Sequence, residues 1–180
     1  MAAYITILRP FNGVMSAIAV YIGSALAGAA VVPSQTIRLA MLVGFLLSGG
    51  GMVVNDVFDA QIDKINKPKR PIPSGKISIR AAYIYSLILF VAGNAIAYRY
   101  LNTDAFYITV LATILLIAYN SKLKKVVMVG HVVVSAMVAL TFVYGAVAAN
   151  GSYMSILPFA MLAFLSNTGR EIFKTIEDAL

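Results

Sequence analysis

The residues most suited to chemistry lie in one stretch, Asn55-Asp56-Val57-Phe58-Asp59-Ala60-Gln61-Ile62-Asp63, and in the basic, proline-rich segment behind it that ends at Ser74-Gly75. On a helix, positions 56, 59 and 63 stand at i, i+3 and i+7. Three carboxylates then share one face, with Asn55 beside Asp59 at i+4. Like charges so placed repel by roughly 0.2–0.5 kcal/mol per pair on an exposed helix, and a cation between them relieves the repulsion. An all-oxygen ligand set points to Mg²⁺, which favours carboxylates, waters and phosphate oxygens. The absence of His and Cys from the cluster argues against zinc or copper. Lys67, Lys69 and Arg70 offer positive charge to the outer oxygens of a bound phosphate, Arg in a bidentate manner. Pro68, Pro71 and Pro73 end the helix and stiffen the loop, which lowers the entropy lost when it closes on a ligand. The plainer alternative is a solvated loop of mixed charge; the carboxylate spacing and the adjoining basic segment weigh against it.

The elements that must hold this cluster are membrane helices. Of 180 residues, 61% are apolar and 12% charged, whereas a soluble domain is about half apolar and a quarter charged. Too few polar side chains remain to cover a water-facing surface, so lipid is the natural solvent. There is no cysteine, which excludes a disulfide framework or thiolate metal site. A span needs about 20 apolar residues, fewer where flanking side chains snorkel. Six stretches qualify: 11–32, 39–55, 80–100, 104–121, 126–149 and 152–169. The first is too long for a signal-peptide core. The expected fold is thus all-α, a polytopic transmembrane bundle of about six helices, with residues 1–180 forming one domain.

Charge distribution predicts the orientation. With the N-terminus cytoplasmic, the inner loops hold twelve of the fourteen Lys and Arg residues, and only Arg38 and Arg99 fall outside. The net charge of +7 is therefore read as orientation in the membrane, and nucleic acid is not an expected partner. Six of the seven acids, Asp56, Asp59, Asp63, Glu171, Glu177 and Asp178, fall on that same inner side, just past the second and sixth spans. Charges at membrane depth cost a few kcal/mol each and mark function, so the two clusters read as halves of one cytoplasmic site. His131 at the start of the fifth span reads as a hydrogen-bonded helix-start residue, with a catalytic base as the alternative. Asn94 and Asn167 read as helix–helix hydrogen bonders, and Gly49-Gly50-Gly51 as a place of close packing.

Asn-Asp-x-x-Asp-x-x-x-Asp followed by Asn-x-Pro-x-Arg-Pro-x-x-Ser-Gly resembles the first signature of the UbiA superfamily of intramembrane prenyltransferases. The match is residue for residue at 55, 56, 59, 63, 66, 68, 70, 71, 74 and 75. Gly169-Arg170-Glu171-Ile-Phe-Lys174-Thr175-Ile-Glu177-Asp178 is similar to the family's second acidic motif, in the form of its archaeal ether-lipid branch. Leu8-Arg9-Pro10-Phe11-Asn12 is similar to that branch too, and Tyr119-Asn-Ser-Lys122-Leu-Lys124 resembles the family's Tyr-x-x-x-Lys loop after helix four. The likeness runs the length of the chain.

The resemblance implies the first six of nine transmembrane helices and Mg²⁺-dependent transfer of a prenyl group, geranylgeranyl above all, from an allylic diphosphate to a lipid acceptor such as geranylgeranylglyceryl phosphate. It implies metal ligation by Asp56, Asp59 and Asp63, with Glu171 and Asp178 opposite. Tyr119 would stabilise the allylic cation or orient a phosphate. Arg9, Asn12, Asn55, Lys67, Arg70, Lys122, Lys124, Arg170 and Lys174 would contact substrate. Two departures stand out. Thr175 occupies a position where the archaeal branch has Asp, and the sequence stops at Leu180, ahead of the motif's last Asp and of three helices. Either a longer protein has been shortened, or another chain supplies those helices. Alternative readings are an aromatic, quinone or tetrapyrrole acceptor, and an inactive form that binds prenyl diphosphate without turnover. A CDP-alcohol phosphotransferase is disfavoured because Ala60-Gln61 follows Asp59 where its signature needs Gly. An ion-coupled transporter is disfavoured because its site would lie near the bilayer midplane.

Overall fold

Caps and a proline decide where the helices begin. Pro10 opens α2 (Pro10–Leu26), since its fixed φ and missing N–H suit a first helical turn. Arg9 before it takes a left-handed conformation, φ 50°, so α1 (Ala2–Leu8) meets α2 at a bend of 46°. The Ser34 hydroxyl accepts from the Ile37 amide at 3.3 Å and starts α3 (Gln35–Phe58). This cap lies ahead of the apolar run, so the helix begins before residue 39, where hydropathy alone starts the span. α4 (Ala60–Asn66) follows directly. Ser78 and Asn102 cap α5 (Ile79–Tyr100) and α6 (Thr103–Ser121) in the same manner. A 3₁₀ turn at Leu123–Lys125 leads into α7 (Val127–Ala148), and α8 (Tyr153–Glu177) ends the described chain. The structure is a computed structural model that describes residues 2–29 and 32–177.

Each of the six expected spans has its helix. α3, α5, α6 and α7 are long and apolar enough to cross a membrane, and α1–α2 counts as a fifth, broken span. α8 falls short of that test. Its second half carries Arg170, Glu171, Lys174 and Glu177, which belong to an aqueous boundary rather than to lipid.

α3 lies at the centre, packed against α2, α5, α6 and α7. Its middle is stripped to Gly49-Gly50-Gly51 because three neighbours converge there. An added Cβ at Gly50 would stand 2.8 Å from Phe90 Cε1 of α5, and one at Gly51 2.9 Å from Leu116 Cδ2 of α6. At Gly49 it would overlap the Leu8 side chain of α1. Val20, Val43, Leu47, Val54, Phe90 and Tyr144 form the main apolar core around this axis. α2 and α7 cross with backbones in direct contact: a Cβ on Gly23 would run into the Phe142 carbonyl, and one on Gly145 into the Val20 carbonyl. α8 packs along α7 and touches α2 only lightly. Leu157, Met161, Leu162, Leu165 and Phe173 on α8 are exposed.

Asn102 ties the end of the bundle away from the aspartates. Its Oδ1 accepts from the Ala105 amide at 2.8 Å, while its Nδ2 donates to the Val147 carbonyl at 2.6 Å and to Asn150 Oδ1 at 2.9 Å. Asn102→Ala removes a cap and one of two hydrogen bonds to the Val147 carbonyl, which keeps the Asn150 amide at 3.0 Å, so thermal unfolding in detergent should show a loss of about 1 kcal/mol. An unchanged midpoint would mean that the clamp adds nothing.

Candidate diphosphate and metal site

The helix ends carrying Arg9, Asp56, Tyr119, His131 and Glu171 meet at one end of the bundle, with the loop after α4 laid across them. That loop is a packed segment. Ile72 and Ile77 are buried against Ile7, Val53, Ala60 and Ala82, and turns such as Ser74 N–H to the Arg70 carbonyl, 3.0 Å, keep it folded. Its prolines and turns therefore present Arg70 inward.

Asp56 and Asp63 are each 3% exposed, and burying an unpaired carboxylate at such a place would be prohibitive. Basic residues meet both. Arg70 Nη1 lies 2.6 Å from Asp63 Oδ2 and 3.3 Å from Asp56 Oδ1, so one guanidinium bridges the pair. Arg9 Nη2 reaches Asp56 Oδ1 at 2.5 Å. The left-handed bend between α1 and α2 is what swings Arg9 over the end of α3. Arg9 Nη1 and Asn12 Nδ2 both point to the Met52 thioether, each at 3.5 Å.

The expectation of three carboxylates on one helical face is divided here. α3 closes at Phe58 and α4 opens at Ala60, and Asp59, at the joint, faces a different cation. Lys124 Nζ stands 2.5 Å from Asp59 Oδ1 and 3.4 Å from Asn55 Oδ1. Of the two lysines in the Tyr119–Lys124 segment, the fold thus selects Lys124; Lys122 is exposed, as is Lys67.

Lys124 also lines the second half of the site, a cavity of about 210 Å³ shared with Tyr119, His131, Glu171, Lys174 and Thr175. Glu171 is held by Arg170 at 2.8 Å and lies 4.0 Å from Lys174. The two acidic clusters therefore meet through Lys124, at one end of the molecule. Asp178 lies outside the described residues. Among the described residues, no three His, Asp or Glu side chains are gathered for one metal ion; Arg9, Arg70 and Lys124 answer the carboxylates instead. The donor chemistry still fits a hard divalent ion, because the first half-site offers carboxylate and amide oxygens alone.

His131, expected to be a hydrogen-bonded helix-start residue, shares a hydrogen bond with Thr175, Nε2 to Oγ1 3.0 Å; Thr175 as the partner was not an expectation of the sequence. A polar ring at the start of an otherwise apolar span was the one signal for it, and its partner lies 44 residues away.

The UbiA prenyltransferase family matches residues 16–179. The chain belongs to that family. The phosphotransferase and transporter alternatives fall with this match. Among curated UbiA relatives, a digeranylgeranylglyceryl phosphate synthase of Thermococcus kodakarensis is 39% identical over 176 residues, covering 98% of this chain and 63% of that protein. One of Sulfurisphaera tokodaii is 41% identical over 180 residues, covering 98% of this chain and 64% of that one. A solved structure concerned with digeranylgeranylglyceryl phosphate synthase in membranes superposes with TM-score 0.90 at 32% identity, over 99% of this chain and 63% of that one. A UbiA homologue from Archaeoglobus fulgidus, bound to GPP and Mg²⁺, has the same fold, with TM-score 0.81 at 19% identity over 98% of this chain and 64% of that one. This chain thus spans a little under two thirds of the length of these relatives. Its apolar helices and its family make it an integral membrane protein.

Proposed function

We propose that residues 1–180 form a UbiA-type domain that binds an allylic diphosphate and transfers its prenyl group, in a Mg²⁺-dependent reaction, to a lipid acceptor. The favoured donor is geranylgeranyl diphosphate and the favoured acceptor geranylgeranylglyceryl phosphate, as expected of a relative of the archaeal synthases. The observation that carries this reading is the convergence of Asp56, Asp59 and Asp63 with Arg9, Arg70 and Lys124 at one helix end. Such an array answers both charges of a metal–diphosphate complex.

Asp56, Asp59 and Asp63, with Glu171 facing them, are the residues that would hold Mg²⁺. When bound, the ion neutralises diphosphate and makes it a better leaving group. The protein's own part is electrostatic and steric. Arg70 and Lys124 supply fixed positive charge for the phosphate oxygens as the C–O bond breaks. The apolar helices keep water from the allylic cation until the acceptor hydroxyl forms the new C–O bond and releases its proton. The Tyr119 ring stands at the cavity wall, where an aromatic face favours a passing cation. The isoprenoid tail gains about 0.8 kcal/mol per buried CH₂ along the helices or in lipid. The lysines and arginines of this end support a cytoplasmic orientation for it and for the N-terminus.

The test is transfer by the 180-residue chain in nanodiscs, from labelled geranylgeranyl diphosphate to geranylgeranylglyceryl phosphate, with and without Mg²⁺. Transfer that needs Mg²⁺ is the expected result. Donor binding without transfer would reduce the assignment to a diphosphate-binding domain, and failure to bind donor would overturn it.

A further inference from the structure

The cavity between α7 and α8 contains a polar pair that the proposed reaction leaves unused. His131 is the chain's one histidine. Its Nε2 lies 3.0 Å from Thr175 Oγ1, and that same hydroxyl is 3.0 Å from the Glu171 carbonyl. Nδ1 has no hydrogen-bond partner among the described residues. The ring shares the cavity with the Lys124 and Lys174 ammonium groups. Lys124 is paired with Asp59 at 2.5 Å and Glu171 with Arg170 at 2.8 Å, which leaves Lys174, 4.0 Å from Glu171, as the loosely held cation of the cavity. The floor is firm: Gly130 is buried, and a Cβ there would stand 3.3 Å from the Lys124 Cα. A small cavity with a loosely held ammonium group and an unpartnered ring nitrogen is suited to an anion.

The geometry points to His131 as a direct ligand for a phosphate group in this cavity, with Thr175 as the positioning residue that holds the ring for it. The inference rests on the diphosphate reading above and deepens it. A threonine hydroxyl has one proton and here two acceptors in reach. With phosphate against the ring, one arrangement satisfies every group: Nδ1–H donates to a phosphate oxygen, and Thr175 turns its proton from the Glu171 carbonyl to Nε2. An aspartate at 175, as in the motif this segment resembles, would accept from Nε2–H and leave Nδ1 of the neutral ring without a proton to give. Thr175 is thus consistent with a half-site that takes the anion by hydrogen bonds rather than through another carboxylate. The phosphate is the donor's diphosphate or the acceptor's phosphate monoester; the chemistry recognised is the same.

A single histidine makes the experiment direct. The chain, labelled with ¹⁵N-histidine and reconstituted in nanodiscs with Mg²⁺, is titrated separately with geranylgeranyl S-thiolodiphosphate and with glycerol 1-phosphate, binding being followed in parallel by calorimetry. In at least one arm the Nδ1 resonance should move towards the Nδ1–H form, and the arm that moves it identifies the source; sodium chloride of equal ionic strength should leave it in place. His131→Asn, whose amide nitrogen sits near the Nδ1 position, should bind within about threefold of wild type. His131→Gln, which keeps the Thr175 contact but not that donor, should bind about tenfold more weakly. Thr175→Val should leave the overall fold intact and reduce the Nδ1–H signal in the bound state. Ligand binding by calorimetry with an unmoved ring signal, or His131→Gln binding like wild type, overturns the role of His131 and leaves the diphosphate site standing. Absence of calorimetric binding in both arms overturns the site and this inference together.

Discussion

Asp59→Asn should lower single-turnover prenyl transfer by about 10²–10³-fold, the scale on which one preorganised electrostatic contact is removed, with little loss of stability. Its carboxylate is the most open of the three, 28% exposed against 5% for Asp56 and Asp63, and its one basic partner among the described residues is Lys124. An amide of the same shape leaves the helix joint intact while deleting one proposed metal ligand. Asp56→Asn should be equally inactive but distinguishable by melting. It would leave Arg9 and Arg70 facing a neutral group at the buried end of α3, and breaking a buried pair from one side costs about 3–5 kcal/mol. Both arginines keep some contact with water, which places the expected loss near 3 kcal/mol or below. Normal transfer by either variant would sink the metal-site assignment. Equal melting of the two would mean that Arg9 and Arg70 do not hold the fold through Asp56.

The second large effect concerns packing. Gly145→Val should destabilise the bundle by about 3 kcal/mol or more, because the new side chain has no room to grow into. The obstacle is the Val20 carbonyl of α2, which belongs to a backbone and cannot rotate away. Gly23→Val should act alike through the Phe142 carbonyl. Gly169→Ala is the control. Nothing lies within 4 Å of a Cβ built there, and alanine is favoured over glycine in a helix by up to about 1 kcal/mol. Thermal unfolding of the three variants in one detergent checks the ordering; a Gly145→Val protein as stable as Gly169→Ala would refute the backbone-to-backbone crossing.

The parts of this protein legible in its sequence are those that local chemistry writes. Asp56, Asp59 and Asp63 announce themselves by spacing and by the basic prolines that follow. The six helices follow from runs of apolar residues, with errors at their ends wherever a cap such as Ser34 outranks hydropathy. What could not be read is which cation serves which carboxylate. Arg9 meets Asp56 across 47 positions and Lys124 meets Asp59 across 65, and no periodicity joins them. Lys122 and Lys124 looked alike as orientation charges until the 3₁₀ turn aimed one inward. The apolar run placed the first span from residue 11, but the left-handed Arg9 that bends α1 away from α2 has no signal in hydropathy. The His131–Thr175 bond depends wholly on how α8 lies on α7.

That placement of α8 also governs energetics. Its neighbour along most of its length is α7, so its detachment exposes less surface than the loss of any central helix and belongs to the low free-energy end of local opening. Yet α8 carries Glu171, Lys174 and Thr175, half of the cavity that Lys124 joins to the aspartates. A helix held mainly by one neighbour is thus one that a ligand must engage. Apparent affinity is then the intrinsic affinity multiplied by the fraction of molecules with α8 docked, and a saturating ligand repays that debt as stability, about 2.7 kcal/mol at a hundred times its dissociation constant. Binding strength and the seating of the last described helix become two readings of one equilibrium.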